Sequence, residues 1–410
     1  MAASGALLSA CVALWAWTGD LTPVVDRFLA TFAVAFAAYV GALHYGRGLD
    51  GGALRVALAV AVLWRLALVL APPLLSDDIH RYVWEGRVQV HGGNPYRWED
   101  RPEMARWEPL RDHVWQGVSH KSYTALYPPA WQLAAAAVVW IHDSVTAMKV
   151  FLVACELATW ALLAFILRRR GLPPARLLVL AWSPLAIVEI AGSGHNDAFA
   201  MLATVAALAA LETGRSLIAA VAGAIAFDAK ILPGFIVAAW ARRFRWWHVA
   251  AGLIVAAALF IPYAAAGSGL WHSAIRYARF WRFNETLFAL LRAALGEDNA
   301  TIASTALLAG TVAALVWRGT DNVAAGLATV AASLLLAANV LPWYALWLLP
   351  FLVLRDSPGA LLFTGTVTLA YLAYPGWRSG DPWQVSWWVR ALEYGPCVVV
   401  AWLAWPGRAR

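Results

Sequence analysis

Long apolar runs separated by short polar segments extend over nearly the whole chain. Crossing a bilayer as a helix takes about 20 apolar residues, and only helices satisfy every backbone polar group within one span. The pattern therefore predicts an all-α polytopic membrane protein, a bundle of roughly 11–14 transmembrane helices. The candidate spans are 3–17, 28–44, 55–73, 146–167, 176–191, 197–211, 217–230, 231–241, 247–265, 301–317, 322–340, 342–354, 359–375 and 387–405.

The polar segment 76–126 is much longer than the others and contains two apolar stripes at helical spacing. Such stripes in a charged stretch are typical of amphipathic helices that lie on a membrane surface. They comprise Ile79, Val83, Gly86 and Val90, and Trp107, Leu110, Val114, Trp115 and Val118. No internal repeat is visible, so we treat 1–410 as one membrane domain.

Basic residues orient the spans, because Lys and Arg concentrate in cytoplasmic loops. Placing Arg47 and Arg55 in the cytoplasm puts 76–126 on the outer side. The later basic clusters also face the cytoplasm if 127–141 is a re-entrant or surface helix and 217–240 forms two short helices. These clusters comprise Arg168 to Arg170, Arg176, Arg215, Arg242, Arg243, Arg245, Arg318, Arg355, Arg408 and Arg410. The outer segments 76–126, 192–196, 266–300 and 376–386 are then expected to converge on one site.

Composition agrees with a membrane protein. The chain is 62% hydrophobic and 13% charged, whereas soluble domains carry about 25% charged residues. The 25 Trp residues cluster near the ends of the runs, as in interfacial aromatic belts. Much of the net charge of +7 comes from Arg residues in the cytoplasmic loops. Other Arg residues are suited to bind phosphate, because one guanidinium group can bond to two phosphate oxygens. The three Cys residues predict neither a disulfide nor a metal site.

Two adjacent carboxylates, Asp77 and Asp78, follow the apolar run that ends at Pro72 and Pro73. One interpretation is structural: Ser76 caps the N-terminus of a helix, and acidic residues in the first turn interact favourably with the helix dipole. We favour general-base catalysis, because Arg81 lies one turn after Asp78 and would keep that carboxylate ionised. Proton transfer of this kind contributes about 10²–10⁴-fold in rate.

The consecutive residues His195, Asn196 and Asp197 lie between two apolar runs. Polar groups at this depth are costly unless they are paired or functional. They either cap a helix or hydrogen-bond to sugar hydroxyls or phosphate. No third ligand has the spacing of a metal site. Lys230, inside an apolar stretch, either snorkels to the interface or contacts phosphate.

Arg276, Arg279 and Arg282 alternate with aromatic residues and bind either phosphate or anionic headgroups. Asn284 follows and is expected to reach the same cavity. Loop motifs at the outer face add Asn94, Tyr96 and Tyr127.

Four segments resemble polyprenyl-phosphate-mannose-dependent mannosyltransferases of the GT-C superfamily, and bacterial α-(1→6)-mannopyranosyltransferases above all. They are SDDIHRYVWEGRVQVHGGNPY at 76–96, GHNDAFAML at 194–202, AKILPGF at 229–235 and LPWYALWLLP at 341–350. Matched on the Tyr, Gly and Pro-Tyr positions, the Asp of that family falls on Asp78. Asp77 is extra, although other members use the first acid of a pair, and His80 stands where Tyr is expected.

The resemblance implies a GT-C bundle, an outer loop with a catalytic Asp, and inverting transfer of a sugar from a polyprenyl-phosphate donor to a glycolipid or glycan acceptor. The location implied is the bacterial inner membrane, with the site on the outer side. Asp78, or Asp77, is the expected base. Expected phosphate ligands are Arg81, Lys230, Arg279 and Arg282. Expected substrate contacts are His195, Asn196, Asp197, Tyr127, Asn94, Tyr96, Asn284, Trp343 and Tyr344.

No glycine-rich nucleotide loop is present, which agrees with a lipid-phosphate donor. No cofactor is required, and a divalent cation is permitted but not indicated. The alternative from another class is a transporter or flippase of a lipid-linked or polar solute, which also uses charges within the membrane. The lack of repeat halves favours an enzyme. The sugar, the acceptor, the linkage and the oligomeric state stay open.

Overall fold

The computed structural model describes residues 1–404 as helices joined by short turns, with one isolated parallel bridge between Phe283 and Asn339. The predicted all-α fold is confirmed, while Arg408 and Arg410 lie outside the described residues. The α-helices, α1 to α21 in order, are Ala2–Thr18, Val25–Tyr45, Gly51–Val69, Asp78–Val90, His113–Gly117, Pro129–Ile141, Val145–Arg169, Leu178–Ala181, Pro184–Ala186, Asp197–Glu212, Ser216–Phe227, Leu232–Ala239, Trp246–Phe260, Gly269–Phe280, Leu287–Leu295, Glu297–Trp317, Asn322–Leu336, Leu349–Leu354, Pro358–Thr366, Ala373–Arg378 and Trp387–Leu403.

Short helices of other types extend or connect these elements. The 3₁₀ helices are Thr22–Val24, Trp98–Asp100, Ala105–Leu110, Pro174–Leu177, Ala241–Arg243, Ile261–Ala266, Pro342–Leu348 and Val367–Leu372, and Ile187–Gly192 is a π-helix.

Five helices of the described chain are long and apolar enough to cross a membrane. They are Thr22–Tyr45, Gly51–Val69, Val145–Arg169, Trp246–Ala266 and Glu297–Trp317. A sixth is a broken pair, Pro174–Ala181 and Pro184–Gly192, bent by 49°. The chain is therefore a multi-pass membrane protein. The predicted 11–14 spans are approached only if the shorter apolar helices of 10–17 residues also cross.

The distribution of basic residues predicted two regions without full-length spans, 127–141 and 217–240, and the helices in both regions are short. Segment 217–240 forms α11 and α12, of 12 and 8 residues, and α6 has 13 residues. The turn between α11 and α12 packs against the start of α6, where the Ala130 amide donates to the Asp228 carbonyl oxygen at 2.8 Å. This contact brings Lys230 to the same end of the bundle as the loop 76–126.

The surface helix expected around Trp107 to Val118 is not one continuous helix. Pro109 lies inside a 3₁₀ turn, and Asp112 starts a new helix by accepting the Val114 amide at 2.8 Å. Trp107, Val114 and Val118 are buried in the protein core. The prediction that these residues face the membrane surface is therefore wrong. A helical period shows that one face is buried, but it does not show whether lipid or protein covers that face.

Two buried cations fix the end of α3 that precedes the acidic pair. The Arg65 guanidinium lies 2.7 Å from the Glu156 carboxylate of α7 and donates to the Ala181 carbonyl oxygen at 2.6 Å. Lys149 of α7 donates to the carbonyl oxygens of Leu68 and Ala71, at 2.6 and 2.8 Å. Carbonyls at a helix end lack the usual intrahelical partner; the Leu68 oxygen also accepts the Ala71 amide at 3.1 Å, and Lys149 adds a donor from α7 to this end of α3.

Replacing Glu156 by Gln tests the buried pair. The change leaves the Arg65 charge without its counter-charge, and breaking a buried pair typically costs about 3–5 kcal/mol. We expect a clearly lower midpoint of thermal unfolding in detergent. The matched control is Glu99→Gln in the half-exposed pair with Arg97, which should cost about 0–1 kcal/mol. Equal midpoints for the two variants would show that the Arg65 pair does not stabilise the bundle.

Candidate active site

A cavity of about 1140 Å³ opens at the end of the bundle where α4 begins. Three of the four predicted outer segments, 76–126, 266–300 and 376–386, contribute to its lining, while 192–196 lies behind it. The residues that line it include Asp20, Thr22, Asp77, Asp78, Arg81, Tyr127, Lys230, Arg282, Thr301, Ser304, Thr305, Ser333, Leu334, Leu336, Trp343, Tyr344, Trp347, Tyr374, Trp377 and Trp383.

Asp78 is the first residue of α4 and faces the cavity. Its amide donates to the Ser76 hydroxyl at 3.3 Å, so the helix starts two residues after the predicted cap. The side chain is 30% exposed, because it reaches the cavity from a wall that otherwise encloses it. Burial, with the negative charge of Asp77, raises the pKa of Asp78 to about 7, and Arg81 and Lys230 only partly oppose this. Arg81 was expected to keep Asp78 ionised, but its effect is outweighed.

The Arg81 guanidinium is largely occupied by the loop opposite α4. It donates to the carbonyl oxygens of Tyr123 at 3.2 Å, His120 at 2.9 Å and Ser119, and lies 3.6 Å from the Glu85 carboxylate. Arg81 still lines the cavity. Its positive charge therefore acts on the site, while most of its donors hold the loop in place.

Lys230 faces the cavity from the turn after α11. Its ammonium lies 2.6 Å from the Asp197 carboxylate and 5.6 and 5.3 Å from the ring centroids of Tyr127 and Tyr344. Asp197 also accepts the Trp347 indole N–H at 2.6 Å. The buried carboxylate thus anchors the cation, and two aromatic faces hold it at the cavity wall.

His195 lies directly behind Asp78. Its ring stacks on Trp343, with centroids 3.9 Å apart; Nδ1 is 3.8 Å from the Asp78 carboxylate and Nε2 is 3.3 Å from Glu189. The preceding Gly194 has φ +80°, and a Cβ there would lie 2.3 Å from Ile79 of α4. The glycine therefore lets this segment approach α4 closely.

None of His195, Asn196 and Asp197 lines the cavity, and all three are buried. The geometry therefore does not favour the direct sugar contacts expected of them. Instead, His195 contacts Asp78 and Asp197 anchors Lys230. Glu189, which faces His195 and accepts the Tyr371 hydroxyl at 2.8 Å, was missed. A lone carboxylate within an apolar run was the available signal.

Three predicted substrate contacts, Tyr127, Trp343 and Tyr344, line the cavity. Asn94, Tyr96 and Asn284 do not line it, and only Tyr96 bonds to a residue of the lining. Tyr96 donates to the Tyr127 carbonyl oxygen at 2.6 Å, Asn94 donates to the Tyr263 carbonyl oxygen at 3.4 Å, and the buried Asn284 donates to Glu393 at 2.8 Å.

The predicted arginine cluster divides. Arg282 lines the cavity but binds Glu297 at 2.6 Å and carbonyl oxygens at the end of α14. Arg279 is exposed and lies outside the lining. Of the four expected phosphate ligands, Lys230, Arg81 and Arg282 face the cavity and Arg279 does not.

One arm of the cavity runs between α16 and α17. Its lining comprises Thr301, Ser304 and Thr305 of α16 and Ser333, Leu334 and Leu336 of α17. Only 11% of the apolar window of α16 is buried within the protein, so the arm borders a helix that faces lipid. Among residues 1–404, no group of three or more His, Cys, Asp or Glu side chains is arranged to hold a metal ion.

A helical membrane bundle whose cavity carries an acidic pair and a held cation is the arrangement expected of an integral-membrane glycosyltransferase. Residues 3–244 match a family model described as α-(1→6)-mannopyranosyltransferase, N-terminal domain, and the chain belongs to this family. It is 26% identical over 389 residues to α-(1→6)-mannopyranosyltransferase A of Mycobacterium tuberculosis (strain ATCC 25618 / H37Rv), covering 84% of this chain and 73% of that relative. No solved structure matches. The predicted GT-C-like mannosyltransferase is confirmed.

Proposed function

We propose that the chain moves mannose from a polyprenyl-phosphate donor to a hydroxyl group of a glycolipid or glycan acceptor, with inversion and with Asp78 as general base. The observation that carries this proposal is the Asp78 carboxylate, with a pKa of about 7, facing the same cavity as the Lys230 ammonium. A general base is most effective when its pKa lies near the working pH.

The cavity offers separate surroundings for the two parts of a lipid-linked sugar. The arm between α16 and α17 suits an isoprenoid tail, because it borders a lipid-facing helix. Lys230 is the principal cation for the phosphate, and Arg81 and Arg282 add positive charge. A donor enters sideways from the bilayer in this arrangement.

The reaction proceeds in one displacement. Asp78 accepts the proton of the acceptor hydroxyl, and that oxygen attacks the anomeric carbon opposite the phosphate. The bond between this carbon and the phosphate oxygen breaks, and the electron pair leaves with the phosphate, which Lys230 stabilises. His195 and Glu189 position Asp78 from behind. Phosphate is a good leaving group, so we propose that no cofactor is required; a divalent cation is permitted.

We place the site on the outer side of the bacterial inner membrane. The support is the positive-inside pattern, since Arg168 and Arg169 end the long span α7 and mark its cytoplasmic end. The 76–126 loop is then the outer catalytic loop of a single membrane domain.

Replacing Asp78 by Asn tests the proposal as a whole. Purified protein in mixed membrane lipids should transfer radiolabelled mannose from polyprenyl-phosphate-mannose, and the variant should lose about 10²–10⁴-fold in rate. An unchanged unfolding midpoint shows that the variant is folded. Full activity in Asp78→Asn would remove this residue as the base. Absence of transfer by the wild type, together with movement of the donor across the bilayer, would establish the flippase alternative.

Replacing Asp77 by Asn distinguishes the two acids. Only ionised Asp78 accepts a proton, so the wild-type rate should rise with pH through about 7 and then level off. Asp77 raises the pKa of Asp78, and its neutralisation should shift this rise to lower pH with activity retained. The measurement is the transfer rate against pH for both proteins. Loss of activity at every pH would make Asp77 the base.

The phosphate role of Lys230 is tested in the double variant Asp197→Asn, Lys230→Gln, which removes both charges of the ion pair together. It should transfer mannose about 10²–10³-fold more slowly than the wild type, since one preorganised donor to developing charge has about this effect. Arg279→Gln, outside the cavity, is the matched control and should retain the wild-type rate. A rate equal to that of the wild type in the double variant would exclude a phosphate role for Lys230.

A further inference from the structure

A wall of the cavity that the mechanism above does not use is aromatic. We call Tyr374, Trp377 and Trp383 the aromatic wall; all three line the cavity together with Asp20 and Thr22. These residues come from the connection after α1 and from the segment around α20. Tyr374, Trp377 and Trp383 follow the part of the chain matched by the family model, which ends at residue 244.

The aromatic wall is rigid. Trp383 packs edge-on against Tyr374 and Trp377, with centroids 4.8 and 5.6 Å away, and stacks on Phe283 at 4.8 Å and 14°. Trp377 remains 50% exposed. Because neighbouring rings already hold these side chains, a ligand that packs here loses less conformational entropy than one that must order free side chains.

Hydrogen bonds join the aromatic wall to the segment that presents the base. The Tyr374 hydroxyl donates to the Leu75 carbonyl oxygen, and the Leu21 amide donates to the Leu74 carbonyl oxygen at 2.8 Å. Leu75 precedes Asp78 by three residues, a stretch of chain that spans at most about 10 Å. The Tyr374 end of the aromatic wall therefore lies close to Asp78, and the Trp377 ring is centred 6.2 Å from the Tyr374 ring.

Polar groups that are not fully used border the aromatic surface. One oxygen of Asp20 accepts the Thr22 amide and hydroxyl at 2.9 and 2.8 Å, and its second oxygen accepts no hydrogen bond from residues 1–404. Within the same residues, the indole N–H groups of Trp377 and Trp383 also lack an acceptor. Aromatic faces bordered by a few polar groups are typical of small-molecule sites, and they match a pyranose, which has apolar C–H faces and hydroxyl groups around its edge.

We propose that the aromatic wall and Asp20 form the acceptor subsite, which binds the terminal sugar ring of the acceptor and directs one of its hydroxyl groups at Asp78. This inference rests on the proposed function and adds the place where the acceptor binds. The ring packs on the Trp377 face, Asp20 accepts hydrogen bonds from its hydroxyls, and the donor remains on the side of Lys230 and α16.

The kinetic test is Trp377→Ala. Loss of the stacking surface should raise the KM for a mannosyl acceptor about tenfold, while the KM for the polyprenyl-phosphate donor stays the same. Trp377→Phe should recover most of the acceptor affinity. The matched control is Trp387→Ala, an 80% exposed Trp outside the cavity lining, with an unchanged acceptor KM. A raised donor KM, or an acceptor KM unaffected by both Trp377→Ala and Asp20→Asn, overturns the proposal.

A binding test separates this inference from the proposed reaction. Saturation-transfer NMR with α-(1→6)-mannobiose, recorded without donor, should show binding to the wild type and to Asp78→Asn but not to Trp377→Ala. Thermal unfolding confirms that each variant is folded. Failure of mannose transfer with this binding pattern intact would reject the reaction and keep the saccharide site. Equal binding by the wild type and Trp377→Ala, or no binding by either, rejects the site.

Discussion

The buried Lys149 side chain ties α7 to the end of α3, just before the acidic pair, through the carbonyl oxygens of Leu68 and Ala71. A helix that ends inside a membrane protein leaves carbonyl groups that water cannot reach. The Lys149 amino group donates to two carbonyl oxygens at this end, those of Leu68 and Ala71. Pro72 and Pro73 then prevent continuation of the helix, and the chain turns into α4. The Arg65 to Glu156 pair holds the same two helices together further along.

Most charged residues near the cavity have two tasks, and the structural one is often dominant. A lone charge in apolar surroundings is costly, so each finds partners. Arg81 donates to carbonyl oxygens of the loop opposite α4, and Arg282 donates to carbonyl oxygens at the end of α14. Asp197 forms an ion pair with Lys230. The chemical properties of the site depend on the charges that remain open to the cavity. Asp78 is the clearest example, because it is enclosed enough to have a raised pKa and open enough to be reached.

Different parts of the chain line different parts of the cavity, and this division matches the roles proposed for them. Asp78, the proposed base, and Lys230, the proposed phosphate cation, lie within residues 3–244, the part that matches the family model. The arm between α16 and α17 and most of the aromatic wall come from later residues. The proposed base therefore lies in the N-terminal region that the family model describes, and the proposed lipid and acceptor walls come mainly from later residues.

The sequence by itself determined the all-helical membrane class, the family, the acidic pair at the end of a span and the short hairpin of α11 and α12. Each follows from local signals: apolar run length, motif spacing and the cost of charge in lipid. Tertiary structure decided which polar residues face the cavity. Periodicity could not show that Trp107 and Val114 pack on protein, that Arg279 points away, or that His195 lies behind Asp78 with Glu189. Those outcomes depend on contacts between residues far apart in the chain, such as Tyr371 with Glu189, which no local pattern encodes.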